Sequence, residues 1–200
     1  TPIQPHIGKD DYHLSEDLAN QAITWIQQQQ TSTPDSPFFC YFAPPAVHAP
    51  HQVPKEWIDK YSGAFDDGWD DLRENIFKRQ LDLGVIPKGT QLTPRPDQIP
   101  SWDSYPDRYK PVASRLMEVF AGFLAHTDAQ IKKVLDCIKD TGCNDNTLVI
   151  YITGDNGASA EGTVHGAWSA PSFQNGVHED PEWLLEHIDD FGTNKCENHF

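Results

Sequence analysis

Basic side chains are scarce in this chain compared with acidic ones. Lys and Arg together number 15, against 30 Asp and Glu, so the formal net charge at pH 7 is 15 − 30 = −15. A surface this acidic repels phosphate backbones and anionic lipids, and we expect neither nucleic acid nor a membrane surface as a partner. An anionic substrate would need a local positive centre, such as a bound cation.

Long apolar runs and paired-cysteine motifs are also missing. No stretch approaches the roughly 20 apolar residues that a membrane-spanning helix needs. The four cysteines show no CxxC or zinc-ribbon spacing. Cys40 lies in an apolar run, which predicts a buried thiol. Cys137 and Cys143 flank the predicted end of a helix, and the sequence leaves open whether they pair. The chain begins at Thr1 without a signal peptide, so the compartment is not visible.

The stretch 148–157, LVIYITGDNG, combines a continuous apolar run with an abrupt polar end. The run predicts a strand over 148–153 that is buried on both faces, as in a parallel sheet covered by helices. In such sheets the loop after a strand's carboxyl end is where ligands bind. Asp155 and Asn156 would offer two hard oxygen donors, the type that Ca²⁺ or Mg²⁺ prefers. The same residues also suit a plain tight turn, and both interpretations stay open at this point.

A second buried strand is predicted at 38–43, FFCYFA, and it too is followed by a polar loop. His48 lies in that loop, so it occupies the same kind of position as Asp155. The pair His48 and His51 has HxxH spacing, but a Pro-bounded loop lacks the helical face that aligns zinc ligands. A loop His is commonly a surface residue. The coincidence of two polar clusters after two buried strands favours His48 as a candidate acid or base.

Apolar spacing predicts helices around these strands. Ser15 is the expected N-cap of the first helix, and Gly142 the expected stop of the longest. The predicted helices cover 16–30, 70–83, 111–139 and 181–187. Strands with covering helices predict an α/β fold in which a mostly parallel sheet is sandwiched by helices.

A long segment, about 54–110, is rich in Pro, Trp and charge and is predicted to be a surface excursion. A long ordered excursion between a strand and a helix usually shapes an access route or a lid. We expect Trp57, Trp69 and Trp102 to anchor this excursion rather than to bind substrate. His165 and His178 are single loop residues, and solvent exposure is the expectation for both.

A cation on Asp155 and Asn156 with His48 in the same cleft would suit hydrolysis of an anionic ester. The cation would act as a Lewis acid, and the imidazole would protonate the departing oxygen. A nucleophile is missing, because there is no GxSxG motif and no Ser followed by an obvious base. A second carboxylate cluster to complete the metal shell is missing too. The residues therefore predict half of a site.

Four segments in this order resemble the type I sulfatases, in particular the large arylsulfatases of the alkaline phosphatase superfamily. The resemblance implies that Asp155 and Asn156 ligate Ca²⁺, with Mg²⁺ less favoured, and that His48 contacts the sulfate group and the leaving oxygen. His51 matches only the arylsulfatase subgroup and receives no catalytic role. The segments are FFCYFAPPAVHAPHQVP at 38–54, KEWIDKYSGAFDDGWD at 55–70, EVFAGFLAHTD at 118–128 and DNTLVIYITGDNGASAE at 145–161.

The chain also departs from the family pattern. The family's nucleophile is a Cys converted to formylglycine within Cys-x-Pro-Ser-Arg, and no such motif occurs here; Cys40 is followed by Tyr-Phe-Ala. The family's Asp-Asp metal pair and Gly-Lys-x-His-type segment would lie before Thr1, and a further substrate-binding Lys would lie beyond Phe200. The resemblance therefore implies a partial domain, an internal part of a sulfatase catalytic domain over 1–200, that is inactive alone.

Three hypotheses follow. The first, favoured by the resemblance, is a Ca²⁺-dependent arylsulfatase acting on a small-molecule or glycan sulfate ester. The second is a phosphoesterase of the same superfamily, which would use a Ser or Thr nucleophile with zinc. The third is a non-catalytic fragment or binding protein. The resemblance favours the periplasm or secretion, with the lysosome as a further option, and it does not indicate an oligomeric state.

Overall fold

Helices form the regular secondary structure of the described part of the chain. The computed structural model describes residues 12–154 and 162–196. Short 3₁₀ turns lie at Asp59–Tyr61, Trp102–Ser104, Asn144–Asn146 and Ile188–Asp190. The α-helices are α1 Leu14–Ser32, α2 Lys55–Ile58, α3 Gly68–Asp82, α4 Lys110–Asp140, α5 Ala170–Gln174 and α6 Pro181–Glu186. The four helices predicted from apolar spacing are confirmed as α1, α3, α4 and α6. No helix within the described ranges is both long and apolar enough to cross a membrane.

The chain divides into two compact units. The first unit comprises Thr1–His48 and Phe123–Gly157, and the second comprises Ala49–Gly122 and Ala158–Phe200. Helix α4 supplies residues to both units, because the division falls between Gly122 and Phe123. Each unit has its own buried apolar side chains.

The core of the first unit forms where α1 packs on the C-terminal part of α4. Ala19 and Ile26 of α1 are buried together with three side chains of α4, namely Val134, Cys137 and Ile138. Phe38 and Phe42, from the segment after α1, are partly buried against this cluster. The stripe on α1 therefore faces α4, as expected for an amphipathic helix.

A buried histidine joins the start of α1 to α4. His126 has no exposed surface, and its Nε2 lies 2.9 Å from Oε1 of Glu16. The His13 ring lies 4.2 Å from the His126 ring, centroid to centroid. His126 therefore has the helix-packing role that is usual for a buried polar residue, since a buried imidazole needs a hydrogen-bond partner.

The N-cap of α1 is His13, so the prediction of Ser15 was wrong. The backbone N–H of Ser15 donates to Nδ1 of His13 at 3.2 Å, and Ser15 itself is buried inside the helix. An imidazole nitrogen can accept the hydrogen bond that a Ser or Asp oxygen usually accepts at this position. Glu16 and Asp17 still lie in the first turn, where the helix dipole favours negative charge.

The core of the second unit is built around the N-terminal part of α4. Leu116 and Val119 of α4, Ile58 of α2 and the loop residue Phe191 are almost fully buried. A Cβ added at Gly122 would lie 2.9 Å from both Cα and N of Ile58, so the α2 backbone passes directly over this glycine. Contact this close between two backbones is possible only where no side chain intervenes.

Aromatic and charged side chains hold the predicted excursion within the second unit. The rings of Trp69 and Trp102 meet edge to face at 4.8 Å between centroids, and Trp69 Nε1 donates to the Pro100 carbonyl at 3.0 Å. The Asp70 carboxylate accepts from the Trp102 backbone N–H and from Arg95, each at 2.8 Å. These bonds, the backbone one first, lower the pKa of Asp70. Trp69 and Trp102 therefore act as the anchors that the sequence predicted.

The predicted sheet is not confirmed in the described part of the chain. Segments 38–45 and 147–154 carry no assigned strand, and no strand pairs with them among the described residues. Phe39 and Leu148, both in predicted strands, are each 85% exposed. Strands need hydrogen-bonded neighbours, so apolar spacing alone does not form them. Cys40 is exposed for the same reason, and the prediction of a buried thiol was wrong.

Replacing Gly122 by Ala should destabilise the protein by about 1–3 kcal/mol, because the new methyl group overlaps the α2 backbone. The usual helix preference for Ala over Gly acts in the opposite direction by about 1 kcal/mol. Urea denaturation measures the difference. The control Asp128→Ala, at an exposed position of α4, should have little effect or be slightly stabilising. A Gly122→Ala variant as stable as this control would contradict the close approach.

Candidate functional site

His48 lies in a turn that directly follows the segment 38–45, which has no assigned helix or strand. Its backbone N–H donates to the Pro45 carbonyl at 2.9 Å, which closes the turn. The preceding Pro44 and Pro45 restrict the backbone that leads into this turn. His48 is exposed. The structure therefore places the predicted acid or base on a hydrogen-bonded loop with its surface open to a ligand.

The two predicted metal ligands, Asp155 and Asn156, lie outside the described residues. The segment that leads to them has no assigned helix or strand as far as Gly154. Within 12–154 and 162–196, no three His, Cys, Asp or Glu side chains group in a way that could hold a metal ion. The metal site therefore stays a prediction that depends on the donor chemistry of the Asp carboxylate and the Asn amide oxygen.

His51, three positions after His48, has a packing role in the second unit. It is only 4% exposed, and its ring meets the Phe120 ring edge to face at 5.4 Å between centroids. Next to it, Gln52 Nε2 donates to the Cys196 carbonyl at 3.1 Å. Burial among these groups agrees with leaving His51 out of the catalytic residues.

The second unit contains a cavity of about 280 Å³ with titratable side chains in its wall. Its lining combines loop residues that follow the GDNG stretch with Tyr109, next to the start of α4, and Leu184 of α6. A volume of this size is at the lower end of the range for small-ligand sites. The lining residues are Tyr109, Gly162, Thr163, His165, Gly166, Ala167, Val177, His178, Glu179 and Leu184.

Two tyrosines position His165 at this cavity. The His165 ring stacks on Tyr109 at 4.8 Å and on Tyr105 at 5.6 Å between centroids. The Tyr105 hydroxyl lies 2.9 Å from His165 Nδ1 and 3.3 Å from the Val164 carbonyl. Burial, and secondarily Tyr109, raises the pKa of Tyr105 to about 12, so this hydroxyl keeps its proton at neutral pH. His165 is exposed as predicted, yet its ring orientation is held by these contacts.

The other titratable side chains of the cavity wall, besides His165 and Tyr109, are His178 and Glu179. His178 is exposed, and its charge acts together with burial, the larger cause, to lower the pKa of His165. Within the described residues, Oε1 of Glu179 is buried and has no hydrogen-bond partner. A buried carboxylate oxygen can accept a hydrogen bond from a hydroxyl or ammonium group. No motif or spacing in the sequence indicated this cluster, since its members become neighbours only through the fold.

Replacing His178 by Gln should raise the pKa of His165 towards its ordinary value of about 6.5, while leaving it below that value because burial remains the larger cause. NMR titration of the His165 ring protons measures the change. The matched control is His187→Gln, outside this cavity wall, which should leave the His165 titration unchanged. Equal titrations in His178→Gln and wild type would contradict the electrostatic contact.

The lowered pKa of His165 makes the free energy of unfolding depend on pH. The pKa of His165 is lower in the folded protein than in the unfolded chain, so the folded state binds fewer protons. The contribution of His165 is therefore fully present above pH about 6.5 and is lost as the pH falls through the lower, folded pKa. His178→Gln should reduce this loss, as measured by urea denaturation between pH 5 and 7.5.

Comparison with known proteins assigns the family. The family model described as Sulfatase matches residues 1–183. An arylsulfatase of Klebsiella aerogenes is 33% identical over 166 residues, covering 82% of this chain and 34% of the relative. An uncharacterised sulfatase of Schizosaccharomyces pombe is 36% identical over 160 residues, covering 80% of this chain and 28% of the relative.

The chain spans about a third of the length of these relatives, and the matches fit a part of a sulfatase catalytic domain. The resemblance found in the four sequence segments is thereby confirmed. The family implies an alkaline phosphatase-like fold. The chain belongs to the sulfatase family.

Proposed function

We propose that the protein containing this chain is a Ca²⁺-dependent hydrolase of sulfate monoesters, of the arylsulfatase type. The observation that carries the proposal is the Sulfatase match over 1–183, which spans the His48 loop and the Asp155–Asn156 pair together. The Klebsiella aerogenes relative is itself named an arylsulfatase. The substrate class would be a small-molecule or glycan sulfate ester.

Asp155 and Asn156 would hold the metal ion through one carboxylate and one amide oxygen. Such hard oxygen donors suit Ca²⁺, and Mg²⁺ is less favoured. When bound, the ion would supply Lewis-acid polarisation and positive charge for a sulfate group. These 200 residues carry a net charge of −15, so a local positive centre would help to attract an anion to them.

His48 would contact the sulfate ester and give a proton to its departing oxygen. Its exposure leaves it accessible to a ligand, and the hydrogen-bonded turn at Pro45 restricts the movement of its backbone. A positioned imidazole that transfers a proton in this way typically contributes about 10²–10⁴-fold to the rate.

The nucleophile of the proposed reaction is the family's formylglycine, which would lie outside these 200 residues. The chain has no Cys in a Cys-x-Pro-Ser-Arg context. The isolated segment would therefore supply only part of the active site, and it would not turn over a substrate.

The segments 38–43 and 148–153 would be inner strands of a mostly parallel sheet in the whole protein. The support is their apolar composition and their high exposure here, with Phe39 and Leu148 as the most exposed examples. Uncovered apolar residues of this kind need neighbouring strands or helices. Such a sheet would place His48 and Asp155 after the carboxyl ends of two strands, where ligands bind in open α/β sheets.

The proposal predicts the loss of sulfatase activity in three variants of the full-length protein. His48→Ala should lower kcat for an aryl sulfate by about 10²–10⁴-fold, since a proton donor is lost. Asp155→Ala and Asn156→Ala should lower activity at least as strongly and should weaken Ca²⁺ binding measured by calorimetry.

Controls and alternative outcomes separate the hypotheses. Asp145→Ala and His187→Ala change exposed or half-exposed positions away from the proposed ligands and should retain wild-type turnover. Wild-type turnover in His48→Ala would remove its assigned role. Preference for an aryl phosphate over the sulfate would favour the phosphoesterase alternative. Absence of turnover with both esters in a folded, Ca²⁺-loaded protein would favour the non-catalytic alternative.

A further inference from the structure

Helix α4 ends in a pair of backbone hydrogen bonds that folds the chain back over its last turn. The Gly142 N–H donates to the Lys139 carbonyl at 3.0 Å, and the Cys143 N–H donates to the Ile138 carbonyl at 3.2 Å. Gly142 adopts a positive φ of 75°, which glycine accommodates without strain. This pattern is a Schellman motif, and it confirms Gly142 as the predicted stop.

The motif brings two cysteines together. In a Schellman motif the residue after the glycine packs against a side chain of the last helical turn, five or six positions earlier in the chain. Here those residues are Cys143 and, six positions earlier, Cys137. Cys137 is 6% exposed, and Cys143 is half-buried against the same apolar cluster of the first unit.

The titration of Cys137 is affected by the same neighbour. The pKa of Cys137 is raised by burial, by Asp140 and by the neighbouring Cys143. Both thiols are reduced, and each sulfur lies near a backbone carbonyl oxygen. The distance is 4.0 Å from Cys137 Sγ to the Ile23 oxygen and 3.7 Å from Cys143 Sγ to the Thr141 oxygen. These are weak contacts for a thiol, so little is lost when the sulfur atoms leave them.

We propose that Cys137 and Cys143 form a redox pair that closes to a disulfide across the end of α4. The oxidant would be a low-molecular-weight disulfide such as oxidised glutathione. The thiolate of Cys143, the more exposed sulfur, attacks one sulfur of the oxidant and releases one small thiol. The thiolate of Cys137 then attacks the Cys143 sulfur and releases the second. Two protein thiols are oxidised, one external disulfide is reduced, and the two protein protons end on the two small thiols.

The other described cysteines are in less suitable positions. Cys40 is exposed in the segment 38–45, and it has no place in the motif that ends α4. Cys196 belongs to the second unit, where it is buried with its Sγ 3.3 Å from the Asp190 carbonyl. The pair across the helix end is therefore the one that the local backbone favours.

The bond would restrain the segment that leads to Asp155. The Cys143 carbonyl accepts from the Asn146 N–H at 3.0 Å and from the Thr147 hydroxyl at 2.8 Å. These contacts tie Cys143 to the turn Asn144–Asn146, after which the segment towards Asp155 begins. A Cys137–Cys143 bond would therefore fix the start of that segment to α4. This consequence does not depend on which ester the protein hydrolyses.

The test is disulfide mapping of the full-length protein after equilibration with oxidised glutathione. Free thiols are blocked with N-ethylmaleimide, and the protein is digested with trypsin. Cleavage after Lys139 separates the two cysteines into peptides 134–139 and 140–195, and each contains one cysteine. Mass spectrometry should find these two peptides joined. Cys40→Ser should preserve the joined peptides, and Cys143→Ser should abolish them.

A denatured sample separates the effect of the fold from that of short sequence spacing. The equilibrium constant for closing the bond against glutathione should be about tenfold or more higher in the native protein than in urea, because the helix end orients the sulfur atoms. Equal constants in the two samples would overturn the proposal. A native protein without the joined peptides, or one in which Cys143 is joined to Cys40, would overturn it as well. The wild-type measurement requires no variant to fold.

Discussion

The packing of helix α4 is the constraint on which both compact units depend. Its apolar stripe buries Leu116 and Val119 in the second unit, and Val134 and Ile138 in the first. The two parts of α4 have different neighbours. The backbone of Ile58 packs directly against Gly122, whereas the His126 ring contacts the Glu16 carboxylate. The 31-residue length of α4 follows from this double use, since most helical stability in proteins comes from packing of an apolar face.

The helices could be predicted because their signals are local. Apolar spacing and Gly142 are contained within a few turns of chain, and α4 ends where that glycine indicated. The N-cap prediction was wrong in a local detail, because the His13 ring caps α1 and the Ser15 side chain does not. The strands could not be tested by the same reasoning. Pairing depends on distant segments, and Cys40 is exposed for want of such a neighbour among the described residues.

The candidate site was predictable to a similar, limited extent. Motif order placed His48 in a polar loop, and the structure shows that loop as a hydrogen-bonded turn. Asp155 and Asn156, the predicted metal ligands, lie outside the described residues, so both their role and their geometry stay a prediction. The cavity around His165 had no sequence signal. Its ring is oriented by Tyr105, which is 60 positions away in the chain, and apolar periodicity carries no information about contacts at that separation.

Charge gives the strongest physical argument for a cation in the proposed reaction. Several of the 15 basic side chains are already opposed by carboxylates in the described part of the chain, among them Arg115 by Glu118 and Lys195 by Asp190. An exposed pair such as Lys195–Asp190 adds little stability, yet it cancels positive potential locally, as does the largely buried pair of Arg115 and Glu118. A sulfate group approaching an acidic surface would meet repulsion from the remaining carboxylates. A divalent cation bound at one point would place two positive charges there and make the local potential positive.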